Sequence, residues 1–390
     1  MKELREILTA YEVIRRQGKL AALATVVAVS GSSYRRPGAR MLLTADGPIA
    51  GGVSGGCLES DVFQRARAVI ESGQAAIVTY DTTEDGDIVF GVGLGCRGVI
   101  QILIEPLTGA RPDFEFLSCL ARRREAGVCA TVFRSEGDTP MRLGDRLLLS
   151  RMGSIYDGFA DAALAARVRS DAGDALASGK SGVREYAAPG GSVAVFLEAI
   201  MPPQPLVIFG AGHDAPPLVR LAKELGWHVT VADARPAYAS AEHFPQADAV
   251  LVCPPDEAAS RLPLDSRAAV VLMTHNYLHD RALLEQWLPA PLCYLGVLGP
   301  KRRTERLLSE LPPGMVTPGA LSRLHSPVGL DIGADTPETI ALAIIAGIQA
   351  VAAGRPGGFL RDRSGPIYPP EAPATPAPVG VLPHCGINRP

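Results

Sequence analysis

The chain has 390 residues, 47% of them apolar, and a formal net charge of −3. That length argues for two or three domains with sizeable cores. The near-neutral balance excludes a general nucleic-acid or membrane-surface binder, which carries a strong basic bias. The seven cysteines are scattered and form no CxxC pair, which argues for reduced thiols over a zinc knuckle or a disulfide framework.

The start, Met1 to Glu6, is charged and lacks the apolar core of a signal peptide. The longest apolar runs, Ala21–Val29 and Ile340–Ile348, are far shorter than the ~20 residues a spanning helix needs. The sequence therefore predicts a soluble, cytoplasmic chain with no membrane and no nucleic-acid partner. Residues 2–18 repeat apolar positions at helical spacing up to Gly18. Strands are expected at Ala21–Ser30, Arg40–Thr44, Ile49–Gly52, Ala75–Tyr80 and Val99–Glu105, with a helix from about Cys57 to Ser72. Residues 113–200 give weaker signals, with an alanine-rich helix expected over Asp157–Ala177, and no internal repeat is evident.

The proline-rich stretch Met201–Pro205 marks a domain boundary. Beyond it, Leu206–Phe209, Val229–Ala232, Ala249–Val252, Ala269–Met273 and Leu292–Leu298 alternate with helical stretches, which predicts a parallel sheet covered by helices. Ile340–Ala353 is apolar around most of its circumference and is expected to be buried between domains or at a subunit interface. Asp335 or Thr336 is placed to cap it. The organisation is thus an N-terminal α+β domain over 1–200, a C-terminal Rossmann-like domain with a parallel sheet over 204–353, and a proline- and glycine-rich tail over 355–390, read as disordered.

Phe209 is followed at once by Gly210-Ala211-Gly212-His213-Asp214-Ala215, a G-x-G-x-x-A run in the strand–turn–helix context of a nucleotide fingerprint. Gly210 permits the turn, Gly212 admits a pyrophosphate to the backbone, and Ala215 lets the helix pack on the strand. His213 lies in or beside the loop, where it polarises a ligand or bonds backbone. Asp233 closes the next strand, where an acid bonds ribose hydroxyls. A Rossmann fold that has lost its ligand gives the same pattern. Two other loops suit an anion: Gly299-Pro300-Lys301-Arg302-Arg303-Thr304 at a helix start, and Thr274-His275-Asn276 at a strand's carboxyl end. Lys301, Arg302 and His275 are the candidate ligand contacts there, although a solvated basic helix end reads the same way.

The first domain carries two glycine-dense loops with a cysteine. Gly51-Gly52-Val53-Ser54-Gly55-Gly56-Cys57 delivers Cys57 to a helix start, which favours a reactive thiolate that touches a metal or carries sulfur. Cys96 sits in Gly91-Val92-Gly93-Leu94-Gly95-Cys96-Arg97-Gly98. Either cysteine is equally readable as a small buried packer. Upstream, Arg35, Arg36 and Arg40 offer guanidinium forks to phosphate or carboxylate. Gly52-Val53-Ser54-Gly55-Gly56 is not the G-x-S-x-G of a hydrolase elbow.

Gly31-Ser32-Ser33, Arg35 to Met41, Ser54-Gly55-Gly56-Cys57-Leu58-Glu59 and Gly93-Leu94-Gly95-Cys96 together resemble the first domain of the XdhC/CoxI family, the xanthine dehydrogenase accessory factors. Phe209 to His213, Thr274-His275, Leu298 to Arg303 and Ser326 to Ala334 resemble its Rossmann domain. The resemblance spans about 20–350. It implies a chaperone that binds molybdenum cofactor (molybdopterin or its dinucleotide form), protects or assists sulfuration of the cofactor, and passes it to a molybdenum hydroxylase of the xanthine dehydrogenase class. A cysteine desulfurase contact and a homodimer are implied too. Cys57 would then lie near the molybdenum or its sulfur; Arg35, Arg36, Arg40, Ser54, Gly55 and Gly56 near the pterin; and Gly210, Gly212, His213, Asp233, His275, Lys301 and Arg302 near a phosphate of this cofactor or of a second nucleotide. Two positions depart from the family pattern: Arg97, where a second glycine is common, and Asp214, where a small apolar residue is usual and an acid repels an anion unless it caps the helix. An NAD(P)-dependent oxidoreductase and a non-catalytic bridging scaffold are the alternatives.

Overall fold

The computed structural model describes residues 2–81, 98–365 and 367. The chain divides into two units, Glu3–Pro202 and Pro203–Ser364. The first begins with α1 (Lys2–Arg16), whose Leu4, Ile7, Leu8, Tyr11 and Ile14 form one buried stripe. Glu3 in its first turn and Arg15 and Arg16 in its last complement the helix dipole. Then follow β1 (Ala21–Gly31), β2 (Arg40–Thr44), β3 (Gly47–Gly51), α2 (Glu59–Ser72), β4 (Ala76–Asp81) and β5 (Gly98–Pro106). The same order recurs as α3 (Pro112–Arg123), β6 (Gly127–Gly137), β7 (Arg146–Ser150), β8 (Gly153–Asp157), α4 (Ala162–Ser178), β9 (Gly182–Ala188) and β10 (Gly191–Ile200).

The expectation of no internal repeat is therefore corrected: the first unit is a duplication. Its two antiparallel sheets have matching orders, β3-β2-β1-β5-β4 and β8-β7-β6-β10-β9. Gly38-Ala39-Arg40-Met41-Leu42-Leu43-Thr44 returns as Gly144-Asp145-Arg146-Leu147-Leu148-Leu149-Ser150, a shift of 106 positions, as from Arg40 to Arg146. Register irregularities fall at Leu42/Leu43 and again at Leu148/Leu149. The tyrosines obey the same shift, with Tyr80 bonded to Asp61 and Tyr186 to Asp171. Loops obscure the repeat in sequence, since residues 82–97 separate β4 from β5, whereas only Pro189 and Gly190 separate β9 from β10.

The three central strands of each sheet are buried on both faces along most of their length and read as apolar runs, whereas the outer strands are largely exposed. Ala22, Ala24, Val26, Met41 and Leu43 pack with Val62 and Ala66 of α2. Val128, Ala130, Val132 and Leu147 pack with Leu164 and Val168 of α4. On the other faces the two repeats meet through Val27, Leu103, Phe133 and Phe196, while α1 and α3 join Leu23, Leu42 and Leu148.

Two buried ion pairs cross between the repeats. Arg40 of the first forks onto Glu198 of the second, with Nη1 2.7 Å from Oε1. Arg146 of the second bonds Glu105 of the first. Each arginine also donates to a glycine carbonyl two residues back, Gly38 or Gly144, at 3.0 Å. These glycines are required: φ is +95° and +88°, and a Cβ would lie 2.9 Å and 2.7 Å from the facing glutamate Oε1. Beside Arg146, the Arg111 guanidinium forks onto Asp113 at 2.9 and 2.7 Å.

The second unit runs β11 (Pro205–Phe209), α5 (Ala215–Glu224), β12 (His228–Asp233), β13 (Ala249–Val252), α6 (Ala258–Arg261), β14 (Ala269–Leu272), α7 (Tyr277–Trp287), β15 (Tyr294–Val297), α8 (Lys301–Ser309), α9 (Pro318–Leu321), β16 (Leu324–His325) and α10 (Pro337–Ala352). Its six parallel strands lie in the order β13-β12-β11-β14-β15-β16. The fold class is as expected, an α+β domain followed by a Rossmann-like one. Helix α10 packs within its own unit. Its Ala341, Ile344, Ile345 and Ile348 join Leu218 and Ala222 of α5 and Tyr294 of β15 in this unit's own core, and Leu342 is exposed. Its apolar girth is met inside one domain. Thr336, not Asp335, caps it, in a reciprocal box with Thr339. Of the tail read as disordered, residues 355–365 are described and hold a short turn, Leu360–Asp362; 368–390 lie outside the described residues. No helix among the described residues is long and apolar enough to cross a membrane.

Removing one partner of a crossed pair strands a buried charge. Arg146→Met is expected to lower stability by about 3–5 kcal/mol, and the double variant with Glu105→Leu to recover most of it. Denaturant unfolding of both variants reads this; a double variant as unstable as the single one refutes it.

Burial raises the Asp113 carboxyl, but Arg146 and Arg111 outweigh burial and hold it at about 2. A depressed carboxylate contributes stability that is present above its unfolded value near 4 and lost as pH falls toward 2. Thermal unfolding between pH 4 and pH 2 should weaken by on the order of 2 kcal/mol through this group. That limb should flatten in Asp113→Asn, and an unchanged limb excludes Asp113 as its source.

Candidate functional site

The first repeat carries the glycine–cysteine loop. Between β3 and α2 the Ser54 hydroxyl donates to Glu59 and accepts from the amides of Gly56 and Leu58, both at 3.1 Å. Glu59 also accepts from the Ser54 amide at 2.8 Å and the Leu58 amide at 3.2 Å. Partial burial raises the Glu59 carboxyl, and the bonds from Ser54 and Leu58 outweigh it, leaving the group below the usual carboxylate range. The knot is anchored by Val53 and Leu58, both buried. Cys57 projects from it exposed, its thiol donating to Ser54 Oγ at 3.5 Å. The Tyr34 ring lies against Gly55, where an added Cβ would meet it at 3.5 Å. Tyr34 thus joins the arginine loop to the cysteine loop, which sequence reasoning passed over.

The second repeat has no such loop. After β8, Asp161 caps α4 directly, accepting from Ala163 N at 2.9 Å and Leu164 N at 3.2 Å.

The three arginines separate. Arg40 is buried and committed to Glu198. Arg35 bonds Glu3 of α1. Arg36 is half-buried in the same loop as Tyr34. Cys96 and Arg97 lie outside the described residues. Among the described residues no group of three or more His, Cys, Asp or Glu side chains is placed to hold a metal ion. Cys57 therefore stands there as a single sulfur donor, and the described cysteines are free thiols.

In the second unit the chain moves from β11 to β12 on one side and returns to β14 on the other, so the crevice of an open α/β sheet opens between β11 and β14. Gly210 holds φ +115°, and a Cβ there would lie 2.2 Å from the Met273 carbonyl oxygen. Gly212 and His213 follow, with His213 exposed. The amides of Gly212, His213 and Asp214 have no hydrogen-bond acceptor among the described residues. Pro216 and Pro217 remove two further amides from the head of α5. Asp214 does not cap that helix. It accepts from His275 Nε2 at 2.8 Å, tying the two loops beside the crevice together.

Asp233 is occupied. Its Oδ1 accepts from Arg235 N and Nε, both at 2.9 Å, and its Oδ2 from Ala211 N and Arg235 Nη2, both at 2.8 Å. Burial raises this carboxyl, and the Arg235 and Ala211 bonds outweigh it. Sequence reasoning missed Arg235, although its position two residues after the acid was the available signal. It also missed a second pairing. Asp280, 1% exposed, accepts from Thr274 Oγ1 at 2.6 Å and pairs with Arg303 at 2.6 Å. Arg303 is thereby tied down, while Lys301 and Arg302 stand exposed at the head of α8.

Residues 206–348 match the XdhC Rossmann domain, and 14–81 and 120–187 match the XdhC and CoxI family. Those last two stretches start and end 106 positions apart, the spacing of the structural repeat. The chain is 34% identical over 330 residues to a probable xanthine dehydrogenase subunit from Bacillus subtilis, covering 84% of this chain and 92% of that one. It is 25% identical over 334 residues to the molybdenum cofactor insertion chaperone PaoD of Escherichia coli, covering 86% and 84%. A crystal structure of a xanthine dehydrogenase from Bacillus halodurans superposes with a TM-score of 0.73 at 29% identity, covering 90% of this chain and 96% of that one.

With Glu59 taking its only proton, Ser54 Oγ acts toward Cys57 solely as an acceptor. Glu59→Ala frees that proton for the sulfur and removes a nearby negative charge. Alkylation of Cys57 by iodoacetamide at pH 7 should then accelerate several-fold, with about 1 kcal/mol of stability lost from the head of α2. Mass spectrometry of timed reactions checks it, and an unchanged or slower rate contradicts the arrangement. With both units matched in chain order, the protein belongs to the XdhC/CoxI family.

Proposed function

We propose that the protein is a molybdenum-cofactor chaperone that protects or assists sulfuration of the cofactor and delivers it to a molybdenum hydroxylase of the xanthine dehydrogenase class. A cysteine desulfurase and the client enzyme are its partners in this reading, and the working form is a homodimer. The observation that carries it is the Cys57 loop. One repeat of a duplicated domain has replaced a plain helix cap with a hydrogen-bonded knot that holds a thiol out to solvent. The PaoD relative, named an insertion chaperone, supports the same assignment.

The residues suit such a cargo. A soft sulfur donor fits molybdenum or its terminal sulfur. Open space surrounds Gly56, so a bulky pterin can approach the backbone. Ser54 and Glu59 hold the loop, and Ser54 Oγ accepts a hydrogen bond from the thiol. In the Rossmann-like unit, the amides of Gly212 and His213 with Lys301 and Arg302 supply donors for a phosphate.

The test is to purify the protein from a host that makes molybdenum cofactor and assay pterin and molybdenum per chain. Near-stoichiometric pterin is expected. Cys57→Ala should keep its fold, lose molybdenum, and fail to activate a co-expressed dehydrogenase. Full activation by that variant removes the chemical role of Cys57, and absence of pterin from the wild-type chain removes the carrier reading.

A further inference from the structure

We propose that the Rossmann-like unit binds a nucleotide bearing a second phosphate at its ribose 2′ position, and that Arg235 selects it over a nucleotide with a free ribose diol. The inference is independent of the Cys57 site.

In a Rossmann fold the acid closing the second strand accepts hydrogen bonds from the ribose hydroxyls, or a nearby arginine meets a 2′-phosphate. Asp233 holds that position at the end of β12. A carboxylate offers about four lone-pair sites, and all four at Asp233 are filled by Ala211 N and by Arg235 through N, Nε and Nη2. With its side chain 5% exposed, it has no acceptor left for a diol.

What this end of the crevice presents is cationic. The Arg235 side chain is 47% exposed and its guanidinium lies 4.0 Å from the Tyr238 ring centroid, which fixes its plane. Nε and Nη2 face Asp233, so the Nη1 protons stay available. The adjoining cavity, about 60 Å³, is lined by Asp233, Arg235, Thr274, Asn276 and His279 among others. The Asn276 side-chain oxygen is occupied in capping α7, so its NH2 is the part available to an anion. The glycine loop, with the free amides of Gly212 and His213, takes the other phosphate. Asp214, the acid closest to it in sequence, pairs with His275 through Oδ2, while its Oδ1 is buried without a hydrogen-bond partner. The acceptors of Asp233 are therefore committed, and the groups presented at this end of the crevice are the Arg235 and Asn276 donors.

Isothermal titration of the full chain with adenosine 2′,5′-bisphosphate, AMP and inorganic phosphate tests this. The bisphosphate should bind at least about tenfold tighter than AMP, the scale of one charge-assisted bidentate contact, and phosphate alone far more weakly than either. Arg235→Ala should erase that preference. It should also raise AMP affinity, because Asp233 is released to accept the ribose hydroxyls. Thermal unfolding confirms that the variant folds, and Arg235→Lys should retain part of the preference. Equal binding of AMP and bisphosphate, a preference that survives in Arg235→Ala, binding of inorganic phosphate as tight as the bisphosphate, or no binding of any of the three would each overturn the proposal. None of these outcomes bears on Cys57.

Discussion

Arg40–Glu198 and Arg146–Glu105 are reciprocal: each repeat lends its arginine to the other's glutamate. Neither repeat can bury its own members of the pairs without stranding a charge, so the two sheets are coupled by electrostatics as well as by Val27, Leu103, Phe133 and Phe196. A buried pair is weak evidence for net stability, because desolvation offsets much of the attraction. Its force lies in specificity. Gly38 and Gly144 must stay glycine to admit the partner's carboxylate, so the pairs fix the registration of one sheet against the other.

That fixed frame explains where the chemistry can sit. With both repeats locked through their shared faces, the loops at β3–α2 and β4–β5 are free to differ without disturbing the core. The second repeat keeps minimal versions, an Asp161 cap and a two-residue turn. The first has a glycine-rich knot at one position and residues 82–97 at the other. Duplication supplies the rigid half, and divergence is confined to the other half's loops. Cys57 is thus held by a knot whose ends are anchored by Val53 and Leu58, and its exposure is a property of the scaffold rather than of a loose tip.

How much of this was legible in the sequence follows from which forces are local. Apolar runs, glycine punctuation and the G-x-G-x-x-A turn are local, and they gave the strands, the domain division and the class of both domains. The duplication rests on long-range pairing. Its clearest trace, Gly38-Ala39-Arg40 against Gly144-Asp145-Arg146, is short, and the unequal β4–β5 and β9–β10 connections break the 106-position spacing for the last strand of each repeat. The same reason misplaced Arg40: an arginine in a glycine loop looks like an anion ligand until its partner 158 residues away is known. Helix α10 was read as an interface element because its apolar girth exceeds what one sheet face usually covers. The extra contact comes from α5, which periodicity within α10 cannot reveal.

The Rossmann crevice shows the same limit acting on charge. Asp214, Asp233 and Asp280 cluster at the carboxyl edge of the sheet, and counted as bare charges they would repel a phosphate. Each is matched by a base from the same or a neighbouring loop: His275, Arg235 and Arg303. The pairings lie 61, 2 and 23 positions apart, so only one of the three is visible locally. Beside these pairs stand the donors Lys301, Arg302, the Nη1 protons of Arg235 and the amides of Gly212 and His213, while Asp214 Oδ1 remains a buried acceptor without a partner. The local electrostatics of the crevice therefore depend on which carboxylates are already paired and not on how many there are.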